Sequence, residues 1–136
     1  MTSGTGPTHW MAPEFYHQHY TEKADVFSLG VLFFAILERD FITINGKRCY
    51  GAFVRVPRAG KIGLGYAMAK FDADIDIVFS RDAQGSNAMQ DVTLNALQYT
   101  KDNRPSAAEI TRVFQDTEED LRFWMTAISR AYCTIQ

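Results

Sequence analysis

The segment from residue 20 to residue 40 constrains the fold most, because it is apolar around nearly its whole circumference when it is read as a helix. Within residues 24–37 the only polar side chains are Asp25 and Ser28. A helix on a protein surface shows an apolar stripe and an opposite polar face, whereas a helix without that division belongs inside a domain. The sequence therefore predicts a buried central helix on which the other elements pack.

Length and composition allow one compact, mainly α domain. The chain has 136 residues, of which 46% are hydrophobic and 13% aromatic, enough for a real core. Its longest apolar run, residues 29–37, is far shorter than the roughly 20 residues that cross a bilayer, and no signal-peptide pattern opens the chain. We therefore expect a soluble, intracellular protein with no membrane anchor. Cys49 and Cys133 match neither a disulfide framework nor a zinc spacing, so we expect buried or idle thiols.

The ends of the central helix carry local signals. Thr21 is suited to cap its N-terminus, Glu22 places negative charge at the positive end of the helix, and Arg39 places positive charge at the other end. Before it, Pro13 suits the first turn of a short helix that continues to Tyr16. Residues 1–10 are rich in glycine, proline and hydroxyl side chains and predict a loop.

After the central helix the apolar pattern changes period. Residues 41–44, the pair Asn45 and Gly46, and residues 47–56 predict a hairpin insertion with a two-residue turn. Glycines at positions 60, 63 and 65 predict a turn, and residues 64–71 predict two turns of helix. From residue 71 to residue 79 apolar side chains alternate with mostly acidic ones, which indicates an extended segment with one buried face.

Two further helices are predicted in the last third of the chain. One begins near Asn87, and a turn follows at residues 102–105. Ser106 and Glu109 have the spacing of a capping box at the start of the last helix, whose apolar positions continue to residue 132. A second box, Thr117 with Asp120, leaves open whether this stretch is one helix or two.

Charge is distributed unevenly. The formal net charge of −2 argues against wholesale nucleic-acid binding, yet residues 41–71 contain no acidic side chain. The basic residues of this window are Lys47, Arg48, Arg55, Arg58, Lys61 and Lys70. The window can dock a protein substrate or an acidic partner, or a phosphate backbone, and the alternative is a solvated face without a partner.

No pattern for catalysis, a cofactor or a metal is complete in the sequence. Residues 60–65 have the wrong glycine spacing for a phosphate loop, and residues 72–76 lack the glycine and glutamate that a calcium loop needs. His17 and His19 point apart on a helix and have no evident third ligand. We therefore predict no catalytic, cofactor-binding or metal residues in this chain.

Three short sets of residues, in a fixed order, resemble the C-terminal lobe of eukaryotic protein kinases. Residues 10–14 (Trp-Met-Ala-Pro-Glu) resemble the end of the activation segment with its A-P-E motif. Residues 25–30 (Asp-Val-Phe-Ser-Leu-Gly) resemble the family's central helix, with Phe27 in place of the usual tryptophan. Residues 103–105 (Asn-Arg-Pro) resemble the arginine that follows the penultimate helix. Within the kinases, residues 20–30, the helix end at Glu38 and Arg39 and the insertion after it most resemble the PDZ-LIM-interacting serine/threonine kinases. The likeness covers most of residues 6–115.

The resemblance implies roles for particular residues. It divides the chain into the end of an activation segment (1–14), a helical C-terminal lobe (15–115) and a C-terminal helical extension (116–136). Glu14 is implied to pair with a buried Arg104, and Asp25 to accept backbone N–H bonds from a catalytic loop. The structural motif as a whole comprises Ala12, Pro13, Glu14, Asp25, Gly30 and Arg104, and the segment beside the substrate comprises Pro7, Thr8, His9 and Trp10.

The resemblance covers only part of a kinase. Phosphoryl transfer needs a glycine-rich loop, a strand lysine, the H-R-D aspartate and the D-F-G aspartate, and none of these motifs occurs in the sequence. ATP and magnesium are therefore implied only for a longer parent in the nucleus or cytoplasm, and we expect the chain alone to be inactive. Where the family usually has Gly-Thr this chain has Gly6 and Pro7, so either Thr5 or Thr8 serves instead or the parent is impaired.

Two competing functions remain at this point. The chain is the C-terminal part of a serine/threonine kinase, or it is a non-catalytic interaction module derived from one, binding a partner through residues 41–71. Serine/threonine over tyrosine specificity is not fixed by these residues, because the catalytic loop is absent from them. An unrelated helical scaffold is a third alternative.

Overall fold

The computed structural model describes residues 7–116, 122 and 125–130, without the side chains of Pro7, Thr8 and Phe114. Roughly half of these residues are helical, and two small antiparallel sheets accompany the helices. None of the helices in this part of the chain is both long and apolar enough to span a bilayer.

The central helix α1 spans Glu22–Glu38, so it is two residues shorter at each end than the predicted segment, residues 20–40. The Thr21 side chain accepts a hydrogen bond from the Lys23 backbone N–H, and Arg39 ends the helix in a left-handed conformation with φ of 61°. Two separate core clusters pack on opposite sides of α1, which explains why its apolar residues are not confined to one face. One cluster joins Phe27, Val31 and Phe34 to Leu64 and Met68, and the other joins Phe33, Ile36 and Leu37 to Met89, Val92 and Ile110.

Two short 3₁₀ helices precede α1, at Pro7–Trp10 and Pro13–His17. The second was predicted as a short helix and runs one residue further. The first corrects the prediction of a loop for this part of residues 1–10. Both helices begin at a proline, whose fixed φ suits a first helical turn and whose missing N–H is not needed there.

The segment after α1 forms two hairpins. Strands β1 (Phe41–Ile44) and β2 (Lys47–Tyr50) pair antiparallel through a turn in which Asn45 and Gly46 both have positive φ, as predicted. The predicted second strand does not continue to residue 56. Instead Ala52 is fully buried and accepts a hydrogen bond from the Leu64 N–H, and the chain starts a second hairpin at Phe53.

The second hairpin pairs β3 (Phe53–Val56) with β4 (Gly60–Gly63). The glycine-rich stretch predicted to be a turn is therefore a strand, and the turn lies at residues 57–59, where Arg58 has a φ of 70°. Helix α2 (Leu64–Phe71) has the predicted bounds, and it follows β4 directly.

The extended segment after α2 has the predicted alternation from residue 72 onward. Ile75, Ile77 and Phe79 pack on the core, and the Phe79 ring stacks on Phe34 with 4.7 Å between centroids. Phe71 departs from the pattern because it ends α2, and its side chain is exposed.

Helix α3 (Asn87–Ala96) is capped by Ser86, one residue before the predicted start. A 3₁₀ turn occupies Lys101–Asn103, and α4 (Ala107–Gln115) is capped by Ser106, whose hydroxyl accepts from the Glu109 N–H at 3.1 Å. Residues 125–130 are also helical. The Thr117 and Asp120 box, Cys133 and the end of the predicted last helix lie outside the described residues.

Candidate functional site

The Arg104 side chain lies at the junction of three segments that are distant in sequence. It is fully buried and faces the Glu14 carboxylate, with Nη1 2.6 Å from Oε1 and Nη2 2.9 Å from Oε2. The two-pronged contact is the geometry that a guanidinium makes with a carboxylate at its strongest. The pair expected between these two residues is thus formed, and it ties the second 3₁₀ helix to the turn before α4.

The remaining guanidinium donors of Arg104 bind backbone carbonyls. Nε donates to Gln98 O at 2.8 Å, Nη1 to Lys23 O at 2.8 Å, and Nη2 to Tyr99 O at 3.2 Å. Together with the two bonds to Glu14, every N–H of the guanidinium has a partner. A buried charge is tolerated only when it is paired and hydrogen-bonded in this way.

Two neighbours complete the surroundings of this ion pair. The Lys23 ammonium donates to the Arg104 carbonyl at 2.7 Å, so Lys23 and Arg104 bind each other's backbone. The Arg104 guanidinium carbon also lies 5.0 Å from the centre of the Phe27 ring, within the range of a cation–π contact. No role for Lys23 was predicted, although its place inside the first turn of the central helix was visible in the sequence.

The electrostatics of Glu14 follow from these contacts. Burial by itself raises the pKa of the carboxyl, but the hydrogen bond and the positive charge of Arg104 outweigh it and hold the pKa below its ordinary value. Glu14 is therefore ionised at neutral pH, and the ion pair is present there.

Asp25 has very different surroundings, although it lies on the first turn of the same helix. It is exposed, and its described partner is the hydroxyl of Tyr20, which donates to Oδ1. That hydrogen bond raises the pKa of Tyr20. The expected partners, backbone N–H groups of a catalytic loop, are not among the described residues, and Tyr20 was not foreseen as a partner.

Gly30 marks the closest approach of α1 to the end of α3. A Cβ built on Gly30 would lie 2.9 Å from the Ala96 Cβ and 3.1 Å from Leu97 Cδ2. Only a residue without a side chain allows the two helices to come this near. Ala12 and Pro13 are buried beside the same core and seat the segment that carries Glu14.

The residues proposed to lie beside a substrate form the first 3₁₀ helix. Trp10 is anchored to α1, because the Ser28 hydroxyl donates to its carbonyl oxygen at 2.6 Å. His9 packs edge-on against Phe53 with 6.0 Å between ring centroids, and its Nε2 is buried without a hydrogen-bond partner among the described residues. Burial lowers the pKa of His9, so its imidazole is neutral at physiological pH.

A cleft opens between this 3₁₀ helix and the start of α1. Its walls are formed by Trp10, Met11, Ala12, Phe15, Tyr20, Ala24 and Ser28. The cleft is mainly apolar, and Tyr20 and Phe15 at its mouth are both exposed.

The glycine-rich stretch does not form a phosphate loop. It joins a strand to a helix after all, since β4 runs directly into α2, but its glycines serve packing. A Cβ on Gly65 would fall on the Met11 carbonyl oxygen, and Gly63 lies against the His9 backbone. Gly65 and Gly63 therefore pack against the segment that carries His9 and Met11, whereas the space beside Gly60 is open.

Residues that could hold a metal are not brought together in the part of the chain that the structure describes. It contains no cluster of three or more histidine, cysteine or acidic side chains with that geometry. Asp72, Asp74 and Asp76 lie on the exposed side of the extended segment, and His17 and His19 are exposed. Neither group therefore brings three possible metal ligands together among the described residues.

A comparison with protein-family models identifies the family of the chain. The model of the protein kinase domain matches residues 1–114, which is most of the chain. The chain belongs to the protein kinase domain family. A helical scaffold unrelated to kinases is thereby excluded, and the family as a whole is one of transferases. The matched range includes both Glu14 and Arg104, as well as α1 and its first-turn Asp25, so the buried ion pair is a feature of the kinase domain in this chain.

Proposed function

We propose that this chain is the C-terminal part of the catalytic domain of a protein serine/threonine kinase, related to the PDZ-LIM-interacting kinases. The observation that carries the proposal is the Arg104 site, in which one buried guanidinium joins Glu14, the start of α1 and the end of α3. The protein kinase domain match supports it, and so does the order of the motifs along the sequence.

In this proposal the parent enzyme transfers phosphate from ATP to protein hydroxyl groups inside the cell, in the nucleus or cytoplasm. ATP and magnesium bind to parts of the parent outside these residues. The segment from Pro7 to Trp10 lies beside the acceptor peptide, and its anchoring through Ser28 holds the segment against α1. The 136 residues alone bind no ATP and transfer no phosphate.

The reading frame upstream of Met1 tests this function. We expect the genomic frame to continue into the D-F-G and H-R-D motifs that the sequence lacks. An in-frame stop codon directly before Met1, with transcripts that begin there, would contradict the proposal.

The inactivity of the isolated chain has its own test. We expect no change in the melting temperature of the purified 136 residues when ATP and magnesium are added, because the sequence lacks the glycine-rich loop, the strand lysine and the D-F-G aspartate that bind them in kinases. A magnesium-dependent stabilisation by ATP, absent with AMP, would show that the prediction is wrong.

A second candidate function is a non-catalytic, kinase-derived module that binds a partner protein through residues 41–71. The observation that favours it is the exposed positive charge on the two hairpins, most of which has no carboxylate partner among the described residues. An upstream stop codon, as above, would favour this candidate over the first.

A further inference from the structure

The two hairpins concentrate the positive charge of the molecule. Residues 41–71 contain six basic and no acidic side chains, which leaves eight basic against sixteen acidic side chains in the rest of the chain. Positive and negative charges are therefore concentrated in different parts of the chain, although its net charge is only −2. A surface of this kind attracts anionic partners to one particular place.

Three of these basic residues form one strip across both hairpins together with the ring of Phe41. The Arg48 guanidinium lies 4.6 Å from the centre of the Phe41 ring, and the Lys61 ammonium lies 5.9 Å from the same ring and donates to the Phe41 carbonyl at 2.9 Å. Arg55 is directly opposite Lys61 in the pairing of β3 with β4, so both side chains leave the same face of that hairpin. We call Phe41, Arg48, Arg55 and Lys61 the basic strip.

The charges of the basic strip are only partly compensated. Lys61 contacts the Asp40 carboxylate, whereas Arg48 and Arg55 are exposed and meet no acidic side chain within the described residues. Like charges directly opposite each other weaken an antiparallel pair, and the contact of Lys61 with Asp40 offsets this repulsion in part. Arg48 and Arg55 therefore carry the charge that a partner can neutralise.

We propose that the basic strip docks an acidic segment of a partner protein, rich in aspartate and glutamate. Arginine guanidinium groups match carboxylates with paired hydrogen bonds, and stacking on Phe41 holds Arg48 in position before binding. The acidic surplus in the rest of the chain repels a long polyanion such as a nucleic acid but leaves room for a short peptide on the hairpins. The inference rests on the docking role proposed above for residues 41–71, and it holds whether or not the parent is a kinase.

Fluorescence anisotropy with the whole 136-residue chain tests the proposal. The probe is a short labelled peptide rich in glutamate, and the control probe has glutamine at every glutamate position. We expect the glutamate peptide alone to bind, and its affinity to fall as the salt concentration rises, because salt screens exposed charges beyond about 10 Å at 0.1 M.

A pair of matched variants then locates the site. Arg48→Glu with Arg55→Glu should weaken binding about tenfold or more, since it replaces two attractive contacts by repulsive ones. Arg81→Glu with Arg112→Glu changes the net charge equally at exposed positions outside the strip, and should weaken binding less than about twofold. Circular dichroism checks that each variant is folded, and Arg48→Gln with Arg55→Gln replaces the first pair if charge reversal impairs folding.

Several results would overturn the proposal. They are equal binding of the two peptides, an equal loss of affinity in both pairs of variants, and tighter binding of single-stranded DNA than of the glutamate peptide. Peptide binding that depends on Arg48 and Arg55, found together with an upstream stop codon, would support the strip while contradicting the kinase function.

Discussion

Two carboxylates near the start of α1 meet opposite surroundings. Glu14 is mostly buried and shares two hydrogen bonds with Arg104, which has a partner for every donor. Asp25 is exposed and is bonded to one tyrosine hydroxyl. Every N–H of the Arg104 guanidinium has a partner within the chain, whereas the carboxylate oxygens of Asp25 can accept further hydrogen bonds. The difference indicates that the Arg104 site stabilises this fold, whereas the exposed Asp25 contributes little to it.

The largest expected effect is the loss of Arg104. Arg104→Ala leaves the Glu14 carboxylate buried without its partner, and removal of one member of a buried pair costs about 3–5 kcal/mol in the free energy of unfolding. Urea denaturation measures it. Arg112→Ala, at an exposed position on α4, is the control and should change stability by no more than about 0.5 kcal/mol. Equal losses in the two variants would show that the buried ion pair stabilises the fold no more than an exposed arginine does.

The next effect concerns the packing of α1 on α3. Gly30→Ala places a methyl group 2.9 Å from the Ala96 Cβ, and overpacking of this kind costs about 1–3 kcal/mol. The better helix propensity of alanine offsets up to about 1 kcal/mol of that loss. Adding Ala96→Gly should restore part of the stability, because it removes the atom that clashes. A double variant no more stable than Gly30→Ala would show that the close contact is not the cause.

Acid should weaken the Glu14 site. The pKa of Glu14 is below its ordinary 4.5 in the folded chain, so the ion pair contributes fully above pH 4.5 and its contribution is lost as the pH falls through the folded pKa. The free energy of unfolding measured between neutral pH and about pH 3 should therefore decline below 4.5 more steeply than in Glu14→Gln. Parallel pH profiles for the two proteins would contradict this.

The smallest effect is expected at Asp25. Asp25→Ala in the isolated chain should change the free energy of unfolding by no more than about 0.5 kcal/mol, since the carboxylate is exposed. Tyr20→Phe removes the same hydrogen bond from the other side and serves as the matched variant. A loss at Asp25 comparable to that of Arg104→Ala would mean that its site is already complete.

The helices were predictable because their local signals agree with their burial. Thr21 and Ser106 act as N-caps, and α2 has the predicted bounds. The second hairpin was not predictable in the same way. Its strand β4 consists largely of glycine-rich sequence that favours turns, and it is extended because β3 pairs with it and α2 follows directly. Tertiary pairing overrode the local preference there.

Some of the functional residues were predictable from the sequence, and others were not. The Glu14 and Arg104 pair was predictable only from motifs ninety positions apart, since neither residue alone differs from an ordinary surface charge. The contacts of Lys23 and Tyr20 were not foreseen, because each depends on where the chain folds back. The basic window was visible as composition, but the alignment of Arg48, Phe41 and Lys61 required the register of two hairpins.

The central claim is that Glu14 and Arg104 form one energetic unit that holds this part of the kinase domain together. A double-mutant cycle on Glu14→Gln and Arg104→Met tests it most directly, with the free energy of unfolding measured for all four proteins. The account predicts a coupling energy of about 1–3 kcal/mol, so that the double variant is more stable than the sum of the single losses implies. Losses that simply add, with a coupling near zero, would contradict it.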